Sequence, residues 1–141
     1  MLRRVRGDDL TTAELHAVLR LRAEVFVVEQ DCAYLDPDGH DLEPSTAHLW
    51  LEGAGGQVAS YLRVLPEPGG GARIGRVVTA PGHRGHGLAG RLLDAALDGT
   101  ERPVLLHAQS HLAGMYERHG FVIDGDPFLD DGIPHTPMRL A

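Results

Sequence analysis

The stretch Ile74-Gly75-Arg76-Val77-Val78-Thr79-Ala80-Pro81-Gly82-His83-Arg84-Gly85-His86-Gly87-Leu88-Ala89-Gly90 decides how this chain folds. Its first six residues read as a β-strand. A glycine-rich turn then opens a helix whose apolar face is Leu88, Ala89, Leu92, Leu93, Ala96 and Leu97, ending near Gly99. Glycines at a helix start let backbone N–H groups come close to an anion, and the helix dipole favours negative charge there. The local charge agrees. From Pro68 to Leu93 no residue is acidic, whereas Arg73, Arg76, Arg84 and Arg91 are basic, with His83 and His86 beside them. The pattern predicts an anionic ligand, a pyrophosphate above all.

Outside that stretch the balance is acidic. The 141 residues hold 13 basic and 20 acidic side chains, a formal net charge of −7, and every basic residue is arginine. Without lysine, a Walker A phosphate loop, a Schiff-base lysine and a Ser–Lys dyad are all excluded. The acidic balance argues against nucleic acid and anionic membrane as partners. No apolar run exceeds four residues (Val25 to Val28, and Cys32 to Leu35), so no spanning helix is expected. The N-terminus leads into Gly7-Asp8-Asp9 rather than an apolar signal core, and the single cysteine, Cys32, has no internal disulfide partner. A cytoplasmic protein with one domain over residues 1–141 is the expectation.

Working outward, Thr11-x-x-Glu14 is a capping box, with Leu10 and Leu15 at the hydrophobic staple positions. Leu15, Val18, Leu19 and Arg22 follow at helical spacing, which sets the stem of Arg22 beside an apolar stripe. Glu29 to Ser45 is rich in turn residues, notably Asp36-Pro37-Asp38-Gly39. His48 to Glu52 and Val58 to Leu65 read as a hairpin around Gly53-Ala54-Gly55-Gly56-Gln57. Val104 to Leu106 reads as a buried strand. Ser110 is placed to cap a helix carrying Leu112, Met115 and Tyr116, with Gly120 as its stop. Phe121 to Ile123 and the tail around Pro137 to Leu140 read as the last strands. A meander followed by strands alternating with helices implies a mixed α/β sheet.

Two frames compete over the glycine loop. Gly85-His86-Gly87-Leu88-Ala89-Gly90 is literally G-x-G-x-x-G, but the next strand ends in His107-Ala108-Gln109 rather than the acidic residue a dinucleotide fold needs. The other frame, Arg84-x-x-Gly87-x-Ala89, resembles the R/Q-x-x-G-x-G/A loop of the GCN5-related N-acetyltransferases. In that family the loop follows a strand, opens a helix and cradles the pyrophosphate of acyl-coenzyme A. A second segment, Gln109 to Phe121, resembles that family's helix carrying a tyrosine (Tyr116) and ending in Gly120-Phe121. An asparagine commonly stands seven residues before that tyrosine; here the position holds Gln109, which keeps a carboxamide. Leu21 to Tyr34 is similar to the "LRxxVFVVEQxCxY" stretch of the ElaA-like branch. So are Asp41, His48-Leu49, Ile74 to Val77, Ala108-Gln109 and Asp131-Gly132-Ile133-Pro134-His135.

The resemblance implies an α/β (α+β) fold: a mixed, mostly antiparallel central sheet flanked by helices, with a splay between the strands near Val77 and Leu106. It implies an N-acyltransferase that moves an acyl group from acetyl-CoA directly to the amine of a small molecule or peptide. The alternative is a binding module for acyl-CoA or another phosphate ligand, without turnover. An amine with a lysine-like pKa is neutral in only roughly one molecule in two thousand at pH 7. Catalysis therefore has to remove a proton, stabilise an oxyanion and protonate the departing thiolate. By resemblance Val77, Val78 and Thr79 face the pantetheine arm and the oxyanion. Arg84, Gly85, His86, Gly87, Leu88 and Ala89 hold the pyrophosphate, Gln109 contacts the cofactor, and Tyr116 is the general acid.

Three residues compete for the general base. Glu29 flanks an apolar run and would need a raised pKa; His48 and His135 have more suitable intrinsic values. Asp31, Asp36, Asp38, Asp41 and Glu43 read as a solvated loop or as an acidic rim that draws in a cationic acceptor. Metal ligation is not expected, because His83-x-x-His86 lies inside the anion loop without Cys or acidic partners. Cys32 reads as a small buried apolar residue. Ser45, Ser60 and Ser110 sit in no G-x-S-x-G elbow, which removes hydrolase chemistry. A homodimer is common in the family, though no interface is marked here.

Overall fold

The computed structural model describes residues 1–141. Eight strands form one sheet: β1 Leu2–Arg6, β2 Ala47–Glu52, β3 Val58–Pro66, β4 Ala72–Thr79, β5 Val104–Gln109, β6 Val122–Ile123, β7 Phe128–Asp130 and β8 Ile133–Leu140. The order across the sheet is β1-β2-β3-β4-β5-β8-β6, with β7 also paired to β8. Every pairing is antiparallel except β4 with β5. The fold is the mixed, mostly antiparallel sheet expected of the acetyltransferase resemblance.

Helices cover both faces. Helix α1 (Thr12–Arg22) begins at the expected capping box, where the Thr11 hydroxyl accepts from the Glu14 amide and the Glu14 carboxylate accepts from the Thr11 amide. It runs directly into a π-helical segment, Ala23–Glu29. Val18, Leu21 and Val25 pack there on Trp50, Tyr61 and Val78. On the other face α2 (Leu88–Leu97) and α3 (Ala113–Glu117) close the larger core, in which Leu92, Leu93 and Ala96 meet Leu62, Ile74 and Leu106. Burial of each leucine or isoleucine side chain contributes about 1.5–3 kcal/mol.

One strand is added to the expected set, and one local expectation changes. The Leu2–Arg6 segment is a strand, although three of its five residues are arginines. Its charge is accommodated because Arg3 lies over the Trp50 ring at 5.8 Å and reaches Glu14 at 2.8 Å. Ser110 caps no helix. Its hydroxyl is 2.8 Å from that of Thr136, and the segment opens as a 3-10 turn, Ser110–Leu112, before α3.

Candidate active site

Strands β4 and β5 pair at only two positions, Ala72 with Val104 and Arg73 with Leu105. Beyond them the parallel strands diverge, and the gap is the splay expected near Val77 and Leu106. It opens a cleft of about 750 Å³ whose walls include Val77, Val78 and Thr79 of β4, Leu106 and Gln109 of β5, and Tyr116 of α3. A backbone N–H or C=O released from a ladder needs another partner. Splayed strands therefore offer a ready-made track for an extended amide-bearing ligand.

One end of the cleft is the glycine loop. Gly85 and Gly87 have φ of 82° and 71°, so the turn relies on the left-handed conformations that glycine adopts without a Cβ penalty. Gly87 is the N-cap of α2 and brings no side chain to cap it. The first amides of a helix have no intrahelical acceptor, so those of Leu88, Ala89 and Gly90 are free to meet an anion. Arg84 and Ala89 line the cleft. The loop thus fits a pyrophosphate, through backbone N–H groups more than through cations. Three of the four arginines of this stretch are already paired: Arg73 with Glu67 at 3.1 Å, Arg76 with Asp36 at 2.9 Å, and Arg84 with Glu29.

The base candidates separate clearly. Glu29 lines the cleft, but both its oxygens accept from Arg84 at 2.6 Å. Those bonds hold its pKa below the usual carboxylate value, the opposite of the raised value that a base there would need. His48 does not line the cleft. It is fully buried, with Nε2 2.8 Å from the Asp41 carbonyl and Nδ1 2.7 Å from the Tyr61 hydroxyl. A carbonyl can only accept, so Nε2 carries the hydrogen and Nδ1 accepts from Tyr61. Burial pushes its pKa down, Arg22 and Arg63 add to this, and Asp41 opposes it. His48 is structural. His135 does line the cleft, with Nδ1 2.7 Å from the Ile133 carbonyl and its ring stacked on Phe128. That bond places a hydrogen on Nδ1, so in the neutral ring Nε2 is the nitrogen that carries the lone pair.

The buried neutral state of His48 sets a pH dependence. Its folded pKa lies below the unfolded ~6.5, so its contribution is fully present above that value. As pH falls below about 6.5 the unfolded chain takes up a proton that the folded chain refuses, and stability declines by at most ~1.4 kcal/mol per pH unit. The urea midpoint should therefore drop between pH 7.5 and 5.5. His48→Gln, which keeps a donor for Asp41, should flatten that drop; an unchanged slope would contradict the assignment.

Tyr116 is buried and lies edge-on to Phe121. Burial raises its pKa to about 12, so the hydroxyl keeps its proton at neutral pH. Gln109 also lines the cleft, but its carboxamide exchanges hydrogen bonds with that of Gln30, at 3.3 and 3.2 Å. Cys32 is buried and its thiol donates to the Asp131 carbonyl at 2.9 Å. No group of three or more His, Cys, Asp or Glu side chains is placed to hold a metal ion, and no helix is long and apolar enough to cross a membrane.

The acidic loop is not a rim. Asp36 and Asp41 are buried and both contact the fully buried Arg22 at 2.7 Å. Arg63 joins Asp41 at 3.0 Å and also pairs with Asp38, while Arg76 reaches Asp36 at 2.9 Å. The Tyr34 hydroxyl donates to Asp36 at 3.1 Å. Three of the five acids are thus neutralised by three arginines. Asp38 and Asp41 have lowered pKa values: the Arg63 bond leads for Asp38, and for Asp41 burial pushes upward but the bonds and charges of Arg22 and Arg63 together outweigh it. Gln30 and the Arg22, Arg63 and Arg76 cluster were not legible as partners from spacing alone, because their contacts span up to 79 positions of sequence.

Known proteins share this architecture. The family model described as an acetyltransferase (GNAT) domain matches residues 23–141. The UPF0039 protein Rv2851c of Mycobacterium tuberculosis is 51% identical over 141 residues, covering 97% of this chain and 90% of that protein. Protein ElaA of Escherichia coli is 36% identical over 141 residues, covering 93% of this chain and 90% of ElaA. Its crystal structure matches with a TM-score of 0.92 over 100% of this chain and 99% of that one. The crystal structure of an acyl-CoA N-acyltransferase from Pseudomonas aeruginosa, 43% identical, also gives a TM-score of 0.92, over 100% and 99% of the two chains. A glycine loop at the start of α2, a splay beside it and relatives along almost the whole length lead to one assignment: the chain belongs to the GCN5-related N-acetyltransferase superfamily, within its ElaA-like branch.

Proposed function

We propose that this protein transfers an acyl group, acetyl in the first instance, from acyl-CoA to the amine of a small molecule or peptide. The observation that carries the proposal is the splay: one cleft connects the free amides at the start of α2 with Tyr116 and His135. The thioester donor supplies the activated acyl group; the chain's own residues bind, orient and move protons. The amides of Leu88, Ala89 and Gly90 hold the diphosphate. The unpaired edge of β4 at Val77 to Thr79 lies along the extended arm and offers an N–H to the carbonyl oxygen as negative charge develops. His135 Nε2 takes the proton from the acceptor amine, and the Tyr116 hydroxyl gives one to the departing sulfur.

Acceptor recognition does not rest on Asp36, Asp38 and Asp41, since arginines already neutralise them. Acetyl-CoA should raise the melting temperature. A panel of polyamines, amino acids and peptides should contain amines that give free thiol together with the acetylated product. Binding without thiol release from any amine would favour the non-catalytic module. Tyr116→Phe removes the acid while keeping the ring that packs on Phe121, so kcat should fall by roughly 10²-fold with little change in affinity for acetyl-CoA. An unchanged kcat would take the hydroxyl out of the mechanism.

A further inference from the structure

The geometry points to Arg76 and Asp36 as positioning residues: the ion pair between them clamps a bulge in β4 and so fixes the backbone amide offered to the reacting carbonyl. This inference rests on the acyl-transfer reading of the cleft. The register between β3 and β4 shows the bulge. Tyr61 faces Val78 and Arg63 faces Gly75, so the single residue Leu62 stands opposite two, Arg76 and Val77. An extra residue in one strand breaks the ladder locally and re-aims the residues beyond it. In β4 those residues are Val77 to Thr79, the wall of the cleft.

Arg76 takes φ of 54°, the left-handed region. That conformation costs an L-residue with a full side chain roughly 1–2 kcal/mol, and glycine is the usual occupant of such a bulge position. Gly75 stands immediately before it, at an ordinary φ. The strain is therefore placed on the arginine and not on the available glycine. The side chain explains why. Its Nε donates to Asp36 Oδ1 at 2.9 Å and its Nη2 donates to the Asp36 carbonyl at 2.9 Å, so both the side chain and the backbone of Asp36 are gripped. Asp36 is 3% exposed and is itself held by Arg22 at 2.7 Å and Tyr34 at 3.1 Å. The anchor is rigid, and the fork transmits that rigidity to the bulge. A free glycine at the same place would adopt the conformation without strain but also leave it easily.

The variant that separates positioning from fold is Arg76→Gly, which accepts the φ, removes the tether together with the contacts to Tyr34 and Asp38, and leaves the bulge free to move. The expected result is a loss of about tenfold or more in kcat, with KM for acetyl-CoA and for the acceptor within about twofold, since an interaction felt only in the transition state leaves KM unchanged. Asp36→Asn should lower kcat in the same direction, and Arg76→Lys, a point charge without the fork, should recover only part of it. The Val77 and Val78 amide signals in a ¹⁵N-labelled sample should broaden or exchange faster in Arg76→Gly. An unchanged kcat with unchanged amide signals overturns the clamp. A loss confined to the acceptor KM overturns it too, because Arg76 would then be a substrate contact. If the wild-type protein acetylates no amine, the acyl-transfer reading fails by itself, and the amide signals still decide whether the tether orders the bulge.

Discussion

Arg22→Met is expected to lower the unfolding free energy by about 3–5 kcal/mol, the cost of removing one member of a buried ion-pair network. Arg22 is fully buried and bonds Asp36 and Asp41, which are 3% and 6% exposed. Burial opposes its charge, yet the bonds and charges of Asp41 and Asp36 outweigh it and keep the guanidinium ionised. Removing it leaves Asp36 to Arg76 and Asp41 to Arg63, two buried carboxylates that have each lost one of their arginines. Small domains hold only about 5–15 kcal/mol in total, so the variant should sit near the threshold of folding. Arg22→Lys restores one charge without the planar fork and should fall between the two. Urea denaturation at pH 7 measures the series. A loss below about 1 kcal/mol for Arg22→Met would mean that water already reaches the pair, as at exposed ion pairs. The lowered pKa of Asp41 adds an acid limit. Its stabilisation is complete above the unfolded value near ~3.9 and is lost as pH falls through the folded one.

Gly87→Asp is expected to abolish acetyl-CoA binding while sparing the fold. Aspartate is among the residues that tolerate the left-handed conformation Gly87 adopts, and its Cβ would meet nothing within 4 Å. As an N-cap it also suits the positive end of α2. The same carboxylate, however, occupies and repels the place of the phosphate. Losing two charge-assisted hydrogen bonds of about 1.5–3 kcal/mol each corresponds to roughly 10²–10⁴ in affinity. Calorimetric titration with CoA reads the loss, and a melting curve without ligand shows whether the fold survived. Gly87→Val is the poorer probe, since a β-branched residue at this φ adds backbone strain to the blocked site. Near-normal CoA affinity in Gly87→Asp would place the diphosphate elsewhere.

The parts of the molecule that follow local rules were legible in the sequence. The capping box of α1, the apolar face of α2, the hairpin of β2 and β3 and the splay beside Val77 and Leu106 all rest on residues close in sequence or on a motif that carries its own geometry. What local rules do not encode is which charge finds which. Asp36, Asp38 and Asp41 look like a solvated run because their arginines arrive from α1, β3 and β4. Arg76 and Arg84 look like phosphate ligands because Asp36 and Glu29 precede them by 40 and 55 positions. His48, with a suitable intrinsic pKa, is disqualified only by tertiary contacts with Tyr61 and Asp41. The arginine-only composition gains a physical reason at this network: a planar fork can grip a carboxylate through two nitrogens at once, which lysine cannot.

Acyl transfer is tested most directly by incubating the protein with acetyl-CoA and an amine panel while following free thiol and the mass of each amine together. Stoichiometric thiol release matched by an acetylated amine, with the rate reduced roughly 10²-fold by Tyr116→Phe, is the expected result. The contradicting result is a protein whose melting temperature does not move with acetyl-CoA and whose presence releases no thiol with any amine.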